Sequence, residues 1–350
     1  MPGKNINNPI AGSSVLQIKP THLATIDALR GIASLAVCWF HMTNGYALNS
    51  VARISGQYGW LGVEVFFVLS GFIIPYAMYM GGYTFRRDWK TFISKRILRI
   101  EPPYLLSILL VFALWHASSM VPGFNGAAPP PFFSAQTALH MGYLSGIAGY
   151  PWLNPVFWTL AIEFQFYLFV CLAFAWLSRN NGICLLAADI LLVAISLAID
   201  SDVLIFRYFC LFVMGIAAFQ YRVRLISGKD TLVVLMLATL AAGIGHGWMV
   251  ATFGILTSTL IVLDFNIGRR KLVLWLGSIS YSLYLVHVPI GGRVVNFGRR
   301  YIESPSAEFI LSLAALFVSL IAAYVFYLLI EKPSQQLAAR LKYFRFGSDR

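Results

Sequence analysis

Arg30 and His41 lie eleven residues apart inside one apolar segment, Leu23 to Asn44. At 100° per helical residue, eleven steps end about 20° past three full turns. Both side chains therefore share one helix face, at depths that differ by roughly 16 Å. Ionisable groups inside a membrane are costly, turn toward a bundle interior or wet cavity, and mark functional sites. Glu64, Glu163 and His287 sit in three further apolar segments. A hydroxyl is a poor nucleophile at neutral pH and needs a base that titrates nearby, for which imidazole is the usual choice. A different chemistry is offered by Arg86, Arg87, Lys90, Lys95, Arg96 and Arg99, which crowd one short stretch with Arg30 near the same face. Clustered guanidinium and ammonium groups suit phosphates. They also fix membrane orientation and attract anionic headgroups. Glu101 follows the basic run directly and is a possible ion-pair partner for Arg96 or Arg99.

The elements that position these residues follow from composition. The chain has 350 residues, 59% hydrophobic and only 11% charged, with mean hydropathy +0.73. Soluble domains carry about 25% charged residues. Apolar runs near 20 residues without period-2 alternation predict an all-α, polytopic integral membrane protein rather than a barrel. About ten spans are expected: 23–44, 58–80, 102–119, 155–177, 182–199, 203–220, 231–247, 249–265, 272–291 and 308–330. The division expected is an N-terminal tail over 1–22, a transmembrane domain over 23–331 and a C-terminal tail over 332–350. No cleavable leader is read in the first twenty residues, and no internal repeat is found. With both termini cytoplasmic, 21 of the 26 Lys and Arg fall inside. Arg53, Arg207, Arg293, Arg299 and Arg300 are the exceptions. That asymmetry is the positive-inside pattern, so the net charge of +12 points to membrane lipids and anionic partners rather than nucleic acid. Cys38, Cys171, Cys184 and Cys210 show no metal-ligand spacing and read as small apolar residues. In this topology His41, Glu64, Glu163 and His287 come from four helices at similar depth in the outer half, which predicts a shared polar cavity.

Five blocks in order resemble the membrane-bound acyltransferase-3 family of O-acyltransferases. They are Ile26-Asp27-Ala28-Leu29-Arg30-Gly31 with His41; Gly62 through Phe72, including Glu64; Lys95 through Ile100 with Pro102, Pro103 and Tyr104; Trp158 through Tyr167, including Glu163; and Ser280 through His287, with Glu331-Lys332-Pro333 at the end. The resemblance covers nearly the whole chain. It implies transfer of an acyl group, usually acetyl, from cytoplasmic acyl-CoA to a hydroxyl of a surface or lipid-linked carbohydrate, in a bacterial cytoplasmic membrane and with no metal.

The residues fit that chemistry. His41 is the expected base, acting directly on the acceptor hydroxyl or by carrying the acyl group itself. Glu163 is the expected partner of its imidazole, with Glu64 as the alternative. His287 is expected to bind acceptor hydroxyls or the thioester oxyanion. Arg30, Arg86, Arg87, Lys95, Arg96 and Arg99 are expected at the donor phosphates, with the pantetheine arm spanning the distance to His41. The uncharged external loop 117–154 offers Phe124, Phe132, Phe133, Tyr143, Tyr150 and Trp152 for stacking on sugars or for the membrane interface. His116 and His140 are read as interfacial polar residues. The rival reading is a transporter or flippase for a lipid-linked sugar, since a cavity with His and Glu also suits a proton-coupled carrier.

Overall fold

Backbone groups that cannot reach water must bond within their own segment, and each of the ten predicted spans overlaps a helix in the computed structural model. The structure describes residues 20–121, 130–263, 270–302 and 304–343, with no side-chain description before residue 24. Phe124, Pro129, Arg269 and residues 1–19 and 344–350 of the two tails lie outside this set. The helices are α1 (Pro20–Thr43), α2 (Val51–Gly56), α3 (Gly62–Met80), α4 (Phe85–Ser119), α5 (Ala135–Met141), α6 (Phe157–Leu177), α7 (Gly182–Ala198), α8 (Phe209–Arg222), α9 (Gly228–His246), α10 (Trp248–Leu263), α11 (Lys271–Gly298), α12 (Pro305–Phe326) and α13 (Lys332–Arg340). No strand occurs among the described residues. Six helical stretches are long and apolar enough to cross a bilayer: Val51–Met80, Phe85–Ser119, Phe157–Leu177, Gly228–His246, Lys271–Tyr301 and Pro305–Arg340. Helices α7 and α10 are apolar but shorter. Helix α8 has only 14 residues and is buried on nearly every side, the pattern of a helix enclosed by other helices.

Small residues set how the helices approach, as expected where lipid supplies no hydrophobic drive. A Cβ on Gly31 of α1 would lie 2.7 Å from the backbone nitrogen of Gly277 in α11, so these helices touch backbone to backbone. Helices α3 and α8 do the same, because a Cβ on Gly71 would meet the Phe212 carbonyl and one on Gly215 the Val68 carbonyl. Helix α1 thus runs beside α11, while Gly62 of α3 closes on the Ala33 carbonyl from its other side.

Two segments differ from the expected division. The basic stretch read as a loop is helical from Phe85 and continues into the span, making α4 35 residues long. Pro102 and Pro103 lie inside it and deprive the carbonyls of Leu98 and Arg99 of their usual partners. The next carbonyl, Ile100, accepts from Tyr281 Oη of α11 at 3.0 Å. The stretch read as the start of the C-terminal tail is also helical: α12 passes through a π-helical turn, Tyr327–Glu331, into α13. Such turns are rare and gather at functional sites.

The segment between α4 and α6 folds back on the bundle. His140, expected at the interface, is instead fully buried. Its Nδ1–H donates to the Gln136 carbonyl at 2.8 Å and its Nε2 accepts from Leu153 N–H at 3.0 Å, which defines a neutral tautomer. Ser145 Oγ lies 2.6 Å from the same Nδ1. Tyr143, in the left-handed region at φ 59°, stacks between Tyr104 and Phe164 at 4.6 and 4.9 Å. Phe132 packs edge-on against Phe112, while Phe133 is 95% exposed. Much of this loop's aromatic surface is therefore spent on packing.

Candidate active site

The contact between α1 and α11 places the two histidines. From Gly31 against Gly277, ten residues further along both helices bring His41 against His287, with ring centroids 5.2 Å apart. Constant offset means the helices run in the same direction, and ten residues correspond to about 15 Å of rise. His287 is fully buried. Its Nδ1 lies 2.8 Å from the Leu283 carbonyl, an acceptor, so Nδ1 carries the hydrogen and Nε2 carries a lone pair. That Nε2 has no partner among the described residues. His41 is half-buried, packs edge-on against Phe40 at 5.2 Å, and makes no hydrogen bond among the described residues. Two imidazoles thus face one another with nitrogen atoms uncommitted, an arrangement able to accept a hydroxyl proton.

Below them lies a cavity of about 160 Å³, bounded by α1, α3, α4, α6, α11 and the π-helical turn. Arg30, Arg96 and Arg99 line it, with Glu163, Glu331, Ser70, Tyr167, Tyr281 and Tyr284. The three guanidinium groups form no hydrogen bond or ion pair among the described residues; Arg96 only rests over the rings of Phe92 and Tyr167, 5.3 Å from each centroid. The two carboxylates are engaged elsewhere. Glu163 Oε1 accepts from Tyr167 Oη at 2.5 Å and from Ser70 Oγ at 3.1 Å. Glu331 accepts from the Ser282 backbone N–H at 3.0 Å and its hydroxyl at 2.5 Å, and from Gln335 at 2.8 Å. All three residues are partly buried, and clustered guanidinium groups free of protein partners around one cavity suit an anion.

Tyr284 joins the two parts. It lines the cavity, hydrogen-bonds to Thr159 Oγ1 at 2.6 Å, and its ring lies 6.0 Å from that of His287.

The expected four-residue cluster is therefore divided. His41 and His287 come together, but neither carboxylate hydrogen-bonds to them. Glu163 belongs to the arginine cavity because α6 packs on α3 and α4, whereas His41 faces α11. Glu64, at the start of α3, is buried, and its Oε2 has no partner among the described residues. The basic cluster divides as well. Arg87 is held by Asp88, with Nη2 to Oδ2 at 2.7 Å, and by the Gly82 carbonyl. Arg86 is exposed, and Lys95 lies over the Tyr343 ring at 5.0 Å. Glu101 forms no ion pair with Arg96 or Arg99; the Tyr143 hydroxyl lies beside it instead. Ser70, Tyr167, Tyr281, Tyr284 and Glu331 were not singled out from sequence. Each stands within one of the resemblance blocks, which was the available signal.

Comparison with known proteins agrees with this architecture. The sequence model of a family described as "Acyltransferase domain" (acyltransferase-3) matches residues 23–328. The protein named "Putative membrane-bound transacylase BcsY" of Komagataeibacter xylinus is 32% identical over 171 residues, 46% of this chain and 40% of that protein. The "O-acetyltransferase OatA" of Staphylococcus aureus is 28% identical over 165 residues, 45% of this chain and 26% of that one. The "Putative acetyltransferase ORF330" of Acidianus two-tailed virus is 32% identical over 147 residues, 41% and 39% of the two chains. Each alignment spans less than half of the relative's length. No solved structure matches. The matched segment runs from α1 to the π-helical turn and takes in both the histidine pair and most of the arginine cavity, so this all-helical membrane chain belongs to the acyltransferase-3 family.

Proposed function

We propose that the protein is an O-acyltransferase that moves an acyl group, acetyl in the simplest case, from acyl-CoA to a carbohydrate hydroxyl. The observation that carries this reading is the set of three unpaired guanidinium groups on the same helix system as the histidine pair. Arg30, Arg96 and Arg99 hold the donor's phosphates from the cytoplasmic side. Arg30 and His41 share α1 about 16 Å apart by helix rise, a separation suited to an extended pantetheine arm. The thioester then reaches the histidines past Tyr284.

In the transfer step the acceptor oxygen bonds to the thioester carbonyl carbon and the carbon–sulfur bond breaks. His41 takes the hydroxyl proton and returns it to the departing CoA sulfur. The bare Nε2 of His287 accepts from the hydroxyl or from His41 and so aligns the pair. An acyl-imidazole route on His41 uses the same atoms in two steps. The name of the acetyltransferase relative supports O-acetyl transfer, and the carbohydrate acceptor follows from the family resemblance; the bacterial cytoplasmic membrane is the proposed location.

The test is calorimetric titration of acetyl-CoA into the purified protein in nanodiscs, followed by an assay of CoA release. Wild type binds, Arg30→Ala binds at least about tenfold more weakly, and His41→Ala binds normally but releases no CoA to an acceptor. Absence of acyl-CoA binding by folded wild type would reject this reading in favour of a carrier for a lipid-linked sugar.

A further inference from the structure

A second cavity, of about 330 Å³, lies across α6 from the first. Successive residues of α6 divide between them: Thr159, Leu160 and Glu163 line the arginine cavity, while Trp158, Ala161 and Ile162 line the second. Trp152, Tyr208 and Asp202 complete the walls that matter. Three features describe what would fit. First, the walls carry no Lys or Arg, and their one charged side chain, the Asp202 carboxylate, is paired with Arg207 outside the lining. A phosphate or anionic headgroup finds no unpaired cation on these walls. Second, Trp152 and Trp158 are only partly buried, and their indole N–H groups make no hydrogen bond among the described residues, so they remain available to a ligand. Third, the aromatic wall is held in place: the Trp158 ring lies 5.9 Å from Tyr208, which packs 5.2 Å from Phe67. Trp152 meets the buried His140 edge-on at 5.4 Å.

Flat aromatic faces, two indole N–H donors without protein partners and a carboxylate with acceptor capacity beyond its ion pair match a neutral pyranose. Its C–H face is apolar and its equatorial hydroxyls both donate and accept. The position matches too. Thr159, next to Trp158, bonds to Tyr284, one helical turn before His287. We propose that this cavity binds a neutral sugar unit of the carbohydrate acceptor, remote from the hydroxyl that is acylated, and thereby selects the acceptor. The proposal rests on the acyltransferase reading for its catalytic meaning, though not for the binding itself.

The test is calorimetry of the protein in zwitterionic nanodiscs, with neutral oligosaccharides cut from the envelope polysaccharide of the producing organism as the probe. Saturable binding is expected, weakened at least about tenfold by Trp152→Leu and by Asp202→Asn, with acetyl-CoA affinity unchanged in both. Asp202 is 79% exposed at its side chain, so the second variant keeps the fold if the first does not. No saturable binding of any fraction would overturn the proposal, as would equal binding by Asp202→Asn and wild type, or occupancy by lipid in native mass spectra that the oligosaccharides fail to displace. Failure of acetyl-CoA to bind would reject the transferase reading alone, because sugar binding is measured without donor.

Discussion

At the scale of single residues, what separates the members of the basic cluster is whether each already has a partner. Arg87 has its charge met by Asp88, whereas Arg99 lines the cavity unpaired. Arg99→Ala is therefore expected to weaken acetyl-CoA binding about tenfold or more, and Arg87→Ala to leave it within about twofold; equal losses in calorimetry would refute the distinction. The histidines invite a different comparison. Neither lines the arginine cavity, so His41→Ala should lower turnover by about 10² to 10⁴ without changing donor affinity. His287→Gln should also lower turnover, because Gln cannot keep both the donation to Leu283 and a bare ring nitrogen toward His41. Donor affinities that fall in step with turnover would contradict this.

At the scale of elements, the approach of α1 and α11 decides whether the two histidines meet. A side chain at Gly31 would collide with backbone atoms of Leu276 and Gly277, not with a movable chain end. Gly31→Val is expected to cost about 1–3 kcal/mol from overpacking, read as a lowered Tm in detergent, and to remove activity by parting the rings. Gly245→Ala in α9 is the control, since nothing lies within 4 Å of the added Cβ; its Tm should hold or rise. A Gly31→Val protein with unchanged Tm and full activity would remove this contact from the account. The segment around α5 depends on a proton instead. Burial pushes His140 below its ordinary 6.5, only partly opposed by the Gln136 carbonyl. The folded segment thus binds that proton less readily than the unfolded one, and His140's contribution is complete above about 6.5 and lost as pH falls. Protonation would also set Nε2–H against the Leu153 N–H. Hydrogen exchange over 135–153, corrected for intrinsic rates, should accelerate between pH 7.5 and 5; unchanged protection would count against His140 as the lock.

At the scale of the whole molecule, charge distribution organises the topology. The arginines assigned to the outer side break the positive-inside pattern, yet four have identifiable intramolecular partners. Arg53 lies over Phe40 and Arg299 over Tyr46. Arg207 pairs with Asp200 and Asp202, and Arg293 donates to Leu114, Ser118 and Pro289. Neutralised or anchored in this way, they compete little with the basic residues on the other side. With both ends of the chain inside, a cysteine at Phe133 should react with an impermeant maleimide from outside intact cells. One at Arg224 should react only after permeabilisation. The reverse pattern would invert the proposed orientation and place the histidines toward the cytoplasm.

The sequence by itself determined that the chain is helical and membrane-embedded, because span-length apolar runs leave a backbone no other way to satisfy itself. It also determined that Arg30 and His41 share a face, since both lie on one helix and local periodicity alone sets their angle. The division of the expected polar cluster was decided only in three dimensions. Tyr167 is its neighbour one turn along the same helix, but which other helix α6 presents Glu163 to depends on packing, and packing gave it Ser70. The meeting of His41 with His287 likewise needed the glycine contact between α1 and α11, whose partners are far apart in the chain. Periodicity reports the face of one helix; only close approach between helices reports what that face meets.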